Sequence, residues 1–167
     1  FAGHDVAIAV CQSDKTIDLK NYLDIKAEAG GSYVDVNNLG VLNGSVVDVT
    51  NLSGVHTFEY QIPATDFCTL SKSILTLTVN VVNPPLANNQ SFCITKGTTV
   101  ADLKSTHDQT VEWFESNNAT QPIVSTQLVK SNQTYFAQAK DANGCISTRV
   151  PIMVTLRPVG NGTDCLT

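Results

Sequence analysis

Cysteine is the residue type in this chain whose spacing indicates the clearest chemistry. Four of its five cysteines occupy matching places in two similar stretches of sequence: Cys11 corresponds to Cys93, and Cys68 corresponds to Cys145. Matched cysteines in small repeated units predict one disulfide in each unit, Cys11 with Cys68 and Cys93 with Cys145, because a small core gains stability from a covalent link. Disulfides persist in oxidising compartments, so the pattern indicates an exported protein.

The fifth cysteine, Cys165, has no counterpart in the repeat. Its place close to the end predicts that the natural protein continues beyond Thr167, where Cys165 pairs with the missing part or stays free. The beginning leads to a similar expectation, because Phe1 is neither an initiator methionine nor the start of a signal peptide.

Neither metal-binding nor catalytic signatures accompany the cysteines. No CxxC or Cys/His cluster with zinc spacing is present, and His4, His56 and His107 lie in separate polar contexts. Ser-His-Asp, Cys-His and paired-carboxylate sites have no local signature, and His56 has Gln133 at the matching place of the other copy. We therefore expect no catalytic residues, no bound metal and no cofactor.

One alternative for a metal stays open. The oxygen atoms of Asp35, Asn37, Asn38 and Asp48 could bind calcium, an ion that extracellular arrays often need at domain joints. Their spacing does not match an EF-hand loop, and turn formation explains Asn and Asp at these positions without an ion. Turn formation is the interpretation that we favour.

An internal repeat contains the cysteines and indicates the elements that hold them. The segments that begin at Thr57 and Thr134 each reach a cysteine after eleven residues without a gap. Upstream, the segment at Tyr33 aligns with the one at Trp113. Downstream, the apolar positions also coincide, with Leu75, Leu77 and Val79 matching Ile152, Val154 and Leu156. Tandem copies of one small domain are typical of arrays that extend or display other domains.

Period-two alternation of apolar and polar residues predicts strands at residues 73–79 and 150–156. The Asn143-Gly144 pair predicts a tight hairpin turn, because such turns need positive φ angles. Each repeat therefore ends in a hairpin whose tip carries its second cysteine. Residues 20–28 are the only stretch that favours a short helical turn, within a loop.

The predicted fold class is all-β, with two tandem β-sandwich domains at residues 1–81 and 88–157. A Pro-rich linker at residues 82–87 separates them, because a Pro-Pro pair ends a strand and holds the chain extended. Residues 158–167 form a second linker into the missing C-terminal region.

The overall charge excludes two classes of partner. A formal net charge of −5 and a sequence pI near 4.9 argue against nucleic acid and anionic membranes, which both require basic patches. The chain has no apolar run of about 18 residues, so we expect no direct membrane insertion.

Adjacent aromatic residues suggest one possible ligand platform. Trp113 with Phe114, and Tyr135 with Phe136, could stack on sugar rings. Neighbouring residues of a strand face opposite sides, so one member of each pair is expected in the core and the other partly exposed. Burial in the core is the favoured interpretation.

Six Asn-x-Ser/Thr sequons are present, at Asn43, Asn51, Asn89, Asn118, Asn132 and Asn161. In a eukaryotic secretory protein they would carry glycans. In a bacterial chain rich in Asn and Thr they arise mostly by chance.

Six short motifs resemble the Ig-like repeats of large Bacteroidetes surface proteins. In the second domain they are VEWFE at 111–115, NQTYFAQ at 132–138 and NGC at 143–145. In the first domain they are GGSY at 30–33, NNLGVLNG at 37–44 and GVHTFEY at 54–60. The resemblance covers residues 5–157 and implies that both sandwich domains are Ig-like and exported. The cysteines depart from the buried pair of antibody domains, so antibody function is not implied.

The same resemblance extends to gliding-motility adhesins and other substrates of type IX secretion. Residues 164–167 resemble the lead into the C-terminal sorting domain of such proteins. The implied partners are neighbouring repeats and a C-terminal sorting or anchoring domain of the same chain. An outer-membrane anchor protein and surface glycans are further candidates, and the implied location is the cell surface, associated with the outer membrane.

We therefore expect a non-catalytic extracellular spacer or adhesin segment of a cell-surface repeat protein, which displays or anchors neighbouring domains. One alternative is a carbohydrate-binding accessory module of a secreted polysaccharide-degrading enzyme. Another is the glycosylated ectodomain of a eukaryotic receptor. A test of glycan binding by either domain separates the first two.

Overall fold

The structure, a computed structural model, describes residues 1–158. The chain is all-β, as predicted, and divides into two compact units, Phe1–Val81 and Val82–Thr167. Among residues 1–158, no helix has both the length and the apolar character needed to cross a membrane. The predictions about Cys165, Asn161, the second linker beyond residue 158 and residues 164–167 concern positions outside the described residues.

The main sheet of the first unit has four strands. Numbered along the chain and taken in order across the sheet, they are β1 (Val6–Cys11), β7 (Ser71–Asn80), β6 (Gly54–Ile62) and β3 (Ser32–Asp35). β1 runs parallel to β7, whereas the β7–β6 and β6–β3 pairs are antiparallel. Alternate residues of β7 are buried, because successive side chains point to opposite faces.

A second sheet covers the buried face of the first. It contains β2 (Thr16–Asp18), β5 (Val46–Asp48) and β4 (Leu42–Asn43). A short 3-10 turn, Leu19–Tyr22, overlaps the beginning of residues 20–28, where the sequence predicted a helical turn. The two sheets enclose one hydrophobic core, so this unit is a β-sandwich. Its buried members include Ile8, Val10, Ile17, Val47, Val49, Phe58, Leu75 and Leu77.

The second unit repeats the four-stranded sheet. In order across the sheet, its strands are β8 (Gln90–Cys93), β11 (Val150–Arg157), β10 (Gln133–Lys140) and β9 (Thr110–Phe114). β8 runs parallel to β11, and the other two pairs are antiparallel. Leu86 pairs with Thr106, so part of the Pro-rich segment belongs to this unit.

In the second unit, the layer that faces the four-stranded sheet is not a regular β-sheet. Residues 98–101 pair with residues 125–129 through backbone hydrogen bonds and one isolated bridge, Thr99 with Leu128. A 3-10 turn, Val100–Asp102, contributes Val100 to the core. The other buried members of that core are Leu103, Trp113, Val129, Tyr135, Ala137, Ile152 and Val154.

Strand register confirms the internal repeat residue by residue. The aligned cysteines each lie opposite the last residue of their neighbouring strand: Cys11 pairs with Asn80 and Cys93 with Arg157. Two further cross-strand pairs also agree between the copies. Phe58–Leu75 matches Tyr135–Ile152, and Tyr33–Tyr60 matches Trp113–Ala137. The alignment therefore identifies one sheet that is built twice.

The predicted hairpin turn is present between β10 and β11. Gly144 has a φ of +88°, and its backbone N–H donates to the carbonyl of Asp141 at 3.1 Å. Oδ1 of Asp141 accepts from the backbone N–H groups of Asn143 and Cys145. Asp141 and Gly144 thus close the turn that places Cys145 at the tip of the hairpin.

Candidate functional site

The cysteines do not form the pairs that the sequence predicted. Cys11, Cys93 and Cys145 are disulfide-bonded, whereas Cys68 is a free and exposed thiol. The predicted bond between Cys11 and Cys68 is therefore wrong.

The direction of β1 explains this error. Cys11 lies opposite Asn80, the last residue of β7, whereas Cys68 lies just before the first, Ser71. A strand of ten residues spans roughly 30 Å. Cys11 and Cys68 therefore lie at opposite ends of the sheet. They cannot bond, because a disulfide needs Cα atoms within about 7 Å.

The same geometry holds in the second unit. Cys93 lies opposite Arg157, at the end of β11, whereas Cys145 precedes Val150, at its beginning. β11 has eight residues and spans roughly 25 Å. Each of the two cysteines forms a disulfide, but this register is incompatible with the predicted bond between them.

The aromatic pairs follow the prediction with one exception. Trp113 and Tyr135 belong to the core, and Phe136 is partly exposed, as expected. Phe114 faces away from Trp113 and was expected to be partly exposed, but it is only 3% exposed. Arg149 explains this burial, because its guanidinium carbon lies 3.6 Å from the centroid of the Phe114 ring.

Arg149 binds a loop to the outer face of the four-stranded sheet in the second unit. Its guanidinium donates hydrogen bonds to the carbonyl oxygens of Ser116, Asn117 and Ala119 at 2.7 to 2.8 Å. Burial lowers the pKa of Arg149. Three carbonyl partners and an aromatic face give this arginine a structural role, so the outer aromatic is not a free sugar platform.

A groove beside Tyr33 is the clearest concave feature of the first unit. It has a volume of about 460 Å³ and lies between β3, the end of β6 and the segment that follows Leu19–Tyr22. The rings of Tyr33 and Tyr60 meet there, with centroids 4.9 Å apart. Lys20, Asp24 and Glu28 also line the groove.

The two tyrosine hydroxyls of this groove differ in the hydrogen bonds that they make within the protein. The Tyr60 hydroxyl donates to the carbonyl of Glu28 at 2.7 Å and accepts from the N–H of Gly31 at 2.9 Å. The Tyr33 hydroxyl has no hydrogen-bond partner among residues 1–158. Burial, together with the nearby Tyr60 and Asp18, raises the pKa of Tyr33 to about 12, so the phenol stays protonated.

Asp24 is held by neighbours on its own side of the groove. Its carboxylate accepts hydrogen bonds from the backbone N–H of Lys26 and from both the ring and the backbone N–H of His4. The Lys26 bond and then the His4 bonds lower the pKa of Asp24 to about 2. Asp24 is therefore a stable anion that fixes this wall of the groove.

A second concave feature surrounds Trp113, the residue that corresponds to Tyr33. It has a volume of about 400 Å³, and both apolar side chains, such as Val100, Leu103 and Ile123, and the polar side chain of Glu112 line it. Trp113 is 7% exposed and packs over Ala137, the counterpart of Tyr60. One large ring in the second unit thus replaces two tyrosines of the first.

The residues considered as calcium ligands make separate local contacts. Asp35 accepts from the N–H of Gly40, Asn37 accepts from the N–H of Thr57, and Asp48 accepts from the N–H of Thr50. Asn38 has a φ of +52°, a left-handed conformation typical of a turn. Within residues 1–158, no group of three His, Cys, Asp or Glu side chains could hold a metal ion.

The three histidines make separate local contacts. His4 contacts Asp24, His56 contacts the carbonyl of Ser53, and Nδ1 of His107 accepts from the N–H of Gln109. None of these contacts places a histidine beside a serine hydroxyl or a cysteine thiol. The five described sequon asparagines, at positions 43, 51, 89, 118 and 132, are all exposed.

The second unit is similar to one known family of protein domains. Residues 81–158 match the family described as "Ig-like domain CHU_C associated". No curated protein sequence matches the chain.

Several solved structures match the chain at low identity. The Drosophila N-cadherin EC1-4 structure is 12% identical, with a TM-score of 0.34 over 90% of this chain and 48% of its own. A SusE-like surface located polysaccharide binding protein from the Bacteroides thetaiotaomicron heparin utilisation locus is 14% identical, with a TM-score of 0.40 over 93% and 34%. An I-band fragment from titin is 14% identical, with a TM-score of 0.32 over 94% and 64%.

The chain thus spans between about a third and two thirds of these structures, and TM-scores below 0.5 define no function for it. The family match is the more specific finding, and it covers the four strands and the turn layer of the second unit. Residues 81–158 are therefore similar to the CHU_C-associated Ig-like domains, within a chain whose fold is all-β.

Proposed function

We propose that this chain is a non-catalytic extracellular spacer or adhesin segment of a cell-surface repeat protein. The observation that carries the proposal is the direction of the terminal strands, because the first and last strands of each main sheet run parallel. A unit built in this way receives the chain at one end and releases it at the other. Such units extend a chain, whereas antiparallel terminal strands would return it to its starting point.

The first unit illustrates the displacement. The N–H of Ala2 donates to the hydroxyl of Ser71, at the beginning of β7. The chain leaves at Asn80, nine residues further along the same strand. The entry and exit points are therefore separated by roughly 30 Å, the length of the strand.

The second unit has the same polarity. Oδ1 of Asn89 accepts from the backbone N–H of Met153, just before β8 begins. The last described strand ends at Arg157, opposite Cys93. Each unit with this polarity adds its own length to the chain, which supports the proposed spacer role.

Disulfides and the family likeness support an exported, surface location. Three bonded cysteines need an oxidising compartment, and the family described as CHU_C associated agrees with the Ig-like surface repeats that the sequence resembles. We propose neighbouring repeats and a C-terminal sorting or anchoring domain as partners, with an outer-membrane anchor protein and surface glycans as further candidates. Gliding motility and type IX secretion are the setting that we propose for such a protein.

A replacement experiment tests the spacer role. The chain is exchanged, within the surface protein that contains it, for an unrelated pair of β-sandwich domains of similar length, and a deletion serves as the matched control. We expect deletion to impair surface display or adhesion and the unrelated pair to restore it, because a spacer supplies length alone. Failure of the unrelated pair, with restoration by the native chain only, would contradict the proposal and favour specific binding.

The carbohydrate-binding module is the second candidate function. The groove beside Tyr33 favours it, because that groove combines two tyrosine rings with polar side chains. The corresponding hollow in the second unit is lined by neither tyrosine nor lysine, so this candidate concerns the first unit alone.

A further inference from the structure

We propose that the groove beside Tyr33 binds a short stretch of neutral polysaccharide, a role separate from the spacer function of the whole chain. The groove has a volume of about 460 Å³, which suits one or two sugar rings. The groove belongs to the first unit, and the internal repeat does not require a groove at this position.

The groove is formed before any ligand arrives. The Tyr60 hydroxyl bonds both the Glu28 carbonyl and the Gly31 N–H, and so it ties the segment around these two residues to β6. Gly31 allows this close approach, because a Cβ atom there would lie 2.6 Å from the Gln61 carbonyl oxygen and from Cζ of Tyr60. A fixed wall lowers the entropy cost of binding.

Two polar groups of the groove are available to a ligand. The Tyr33 hydroxyl makes no hydrogen bond within residues 1–158, and a neutral phenol both donates and accepts hydrogen bonds. Lys20 is exposed, and its ammonium group forms no ion pair with the described residues. Both groups suit the hydroxyl oxygens of a sugar.

The charges of the groove favour a neutral ligand. Asp24 and Glu28 supply carboxylates that oppose anionic sugars, and Lys20 opposes simple cations. Tyrosine rings favour the apolar faces of sugar rings, and Ile25, which is 98% exposed, extends the apolar rim. A neutral hexose or pentose polymer satisfies all of these features.

The second unit provides an internal comparison. Trp113 occupies the place of Tyr33 but is buried in the core, and its hollow contains no lysine. Position 33 is therefore constrained less by packing than position 113. The same strand register supports a core residue in one copy and a ligand contact in the other.

Titration of the full chain with soluble hexasaccharides tests the proposal. The panel contains β-1,4-glucan, β-1,3-glucan, β-1,4-xylan and β-1,4-mannan oligomers, with oligogalacturonate as the anionic control, and binding is followed by calorimetry and by amide chemical shifts. We expect at least one neutral oligomer to bind at millimolar affinity or better, with shifts at residues 20–33. We expect none at residues 100–125.

Variants locate the binding. Lys20→Ala and Tyr33→Phe each remove one hydrogen-bonding group and should weaken binding about two- to tenfold without changing the melting temperature. Lys26→Ala is the matched control, because Lys26 is exposed on the same segment but does not line the groove. The proposal is overturned if no neutral oligomer binds at ten millimolar, if only oligogalacturonate binds, or if both variants bind as the wild type does. None of these outcomes affects the replacement test of the spacer role.

Discussion

The two units share one sheet and differ in the layer that covers it. In the first unit the sheet faces a second sheet formed by β2, β5 and β4, whereas in the second unit it faces turns and the paired segments 98–101 and 125–129. The shared sheet keeps the same cross-strand pairs in both copies. The shared sheet carries the strand directions on which the proposed spacer role depends. The groove beside Tyr33 lies where two strands of that sheet, β3 and β6, meet a segment that is particular to the first unit.

Matched core substitutions should give the largest effects. Phe58→Ala and Tyr135→Ala remove equivalent rings, each almost fully buried, and each should lower the free energy of unfolding of its own unit by about 3 to 5 kcal/mol. Tyr135→Ala also leaves the N–H of Lys130 without its 2.8 Å acceptor. Hydrogen exchange in peptides from β6–β7 and β10–β11 measures each unit separately, and equal loss of protection in both units would contradict their independence.

The hairpin cysteines should respond unequally, although they occupy matching places. Cys145→Ser breaks a disulfide and should lower the free energy of unfolding by about 2 to 4 kcal/mol. Cys68→Ser replaces a free, exposed thiol and should change it by less than about 0.5 kcal/mol. Urea denaturation under non-reducing conditions checks both values, and a large loss for Cys68→Ser would mean that Cys68 is bonded in solution.

A third comparison concerns Arg149 and its counterpart in the repeat, Lys72. Arg149→Ala should destabilise the second unit by about 2 to 3 kcal/mol, because three carbonyl oxygens lose their donor and Phe114 loses its cover. Lys72→Ala breaks a single surface ion pair with Glu59 and should cost about 0 to 1 kcal/mol. The difference between the two variants in urea denaturation is the test, and equal effects would show that the Arg149 contacts are weak.

Acid should weaken each unit through a different carboxylate. The pKa of Asp24 is lowered from 3.8 to about 2, so its stabilising effect is complete above about pH 4 and is lost as the pH falls towards 2. The N–H of Thr99 lowers the pKa of Asp102 in the second unit in the same direction. Asp24→Asn should flatten the acid limb of hydrogen-exchange protection in the first unit alone, and Asp102→Asn in the second alone. An unchanged acid limb in either variant would remove that carboxylate from the account.

The shared sheet could be predicted from the sequence, because its register follows from hydrophobic alternation and from the matched positions of Thr57 and Thr134. The direction of the terminal strands could not, since alternation is the same for parallel and antiparallel neighbours. Because the direction of β1 could not be predicted, the predicted bond between Cys11 and Cys68 was wrong. The burial of Phe114 was not predicted, because Arg149, which covers it, lies in the segment before β11 and is distant from Phe114 in the sequence.

The candidate groove was only partly visible in the sequence. The internal repeat aligns Tyr33 with Trp113. The hollow beside Tyr33 depends on long-range contacts, namely the Tyr60 hydroxyl with Glu28 and with Gly31, that no local motif specifies. Gly31 is a residue whose lack of a side chain permits such a close approach.

Single-molecule pulling tests the central claim, that the parallel terminal strands of each unit are built for extension. Force applied at the chain termini, in reducing buffer, loads all the hydrogen bonds between β1 and β7 at once, because these strands slide along each other. Force applied at Gly54 and Asn80 instead opens the β6–β7 hairpin one pair at a time. We predict a clearly higher unfolding force for the terminal attachment. An equal or lower force would contradict the claim that the strand order of these units suits a mechanical spacer.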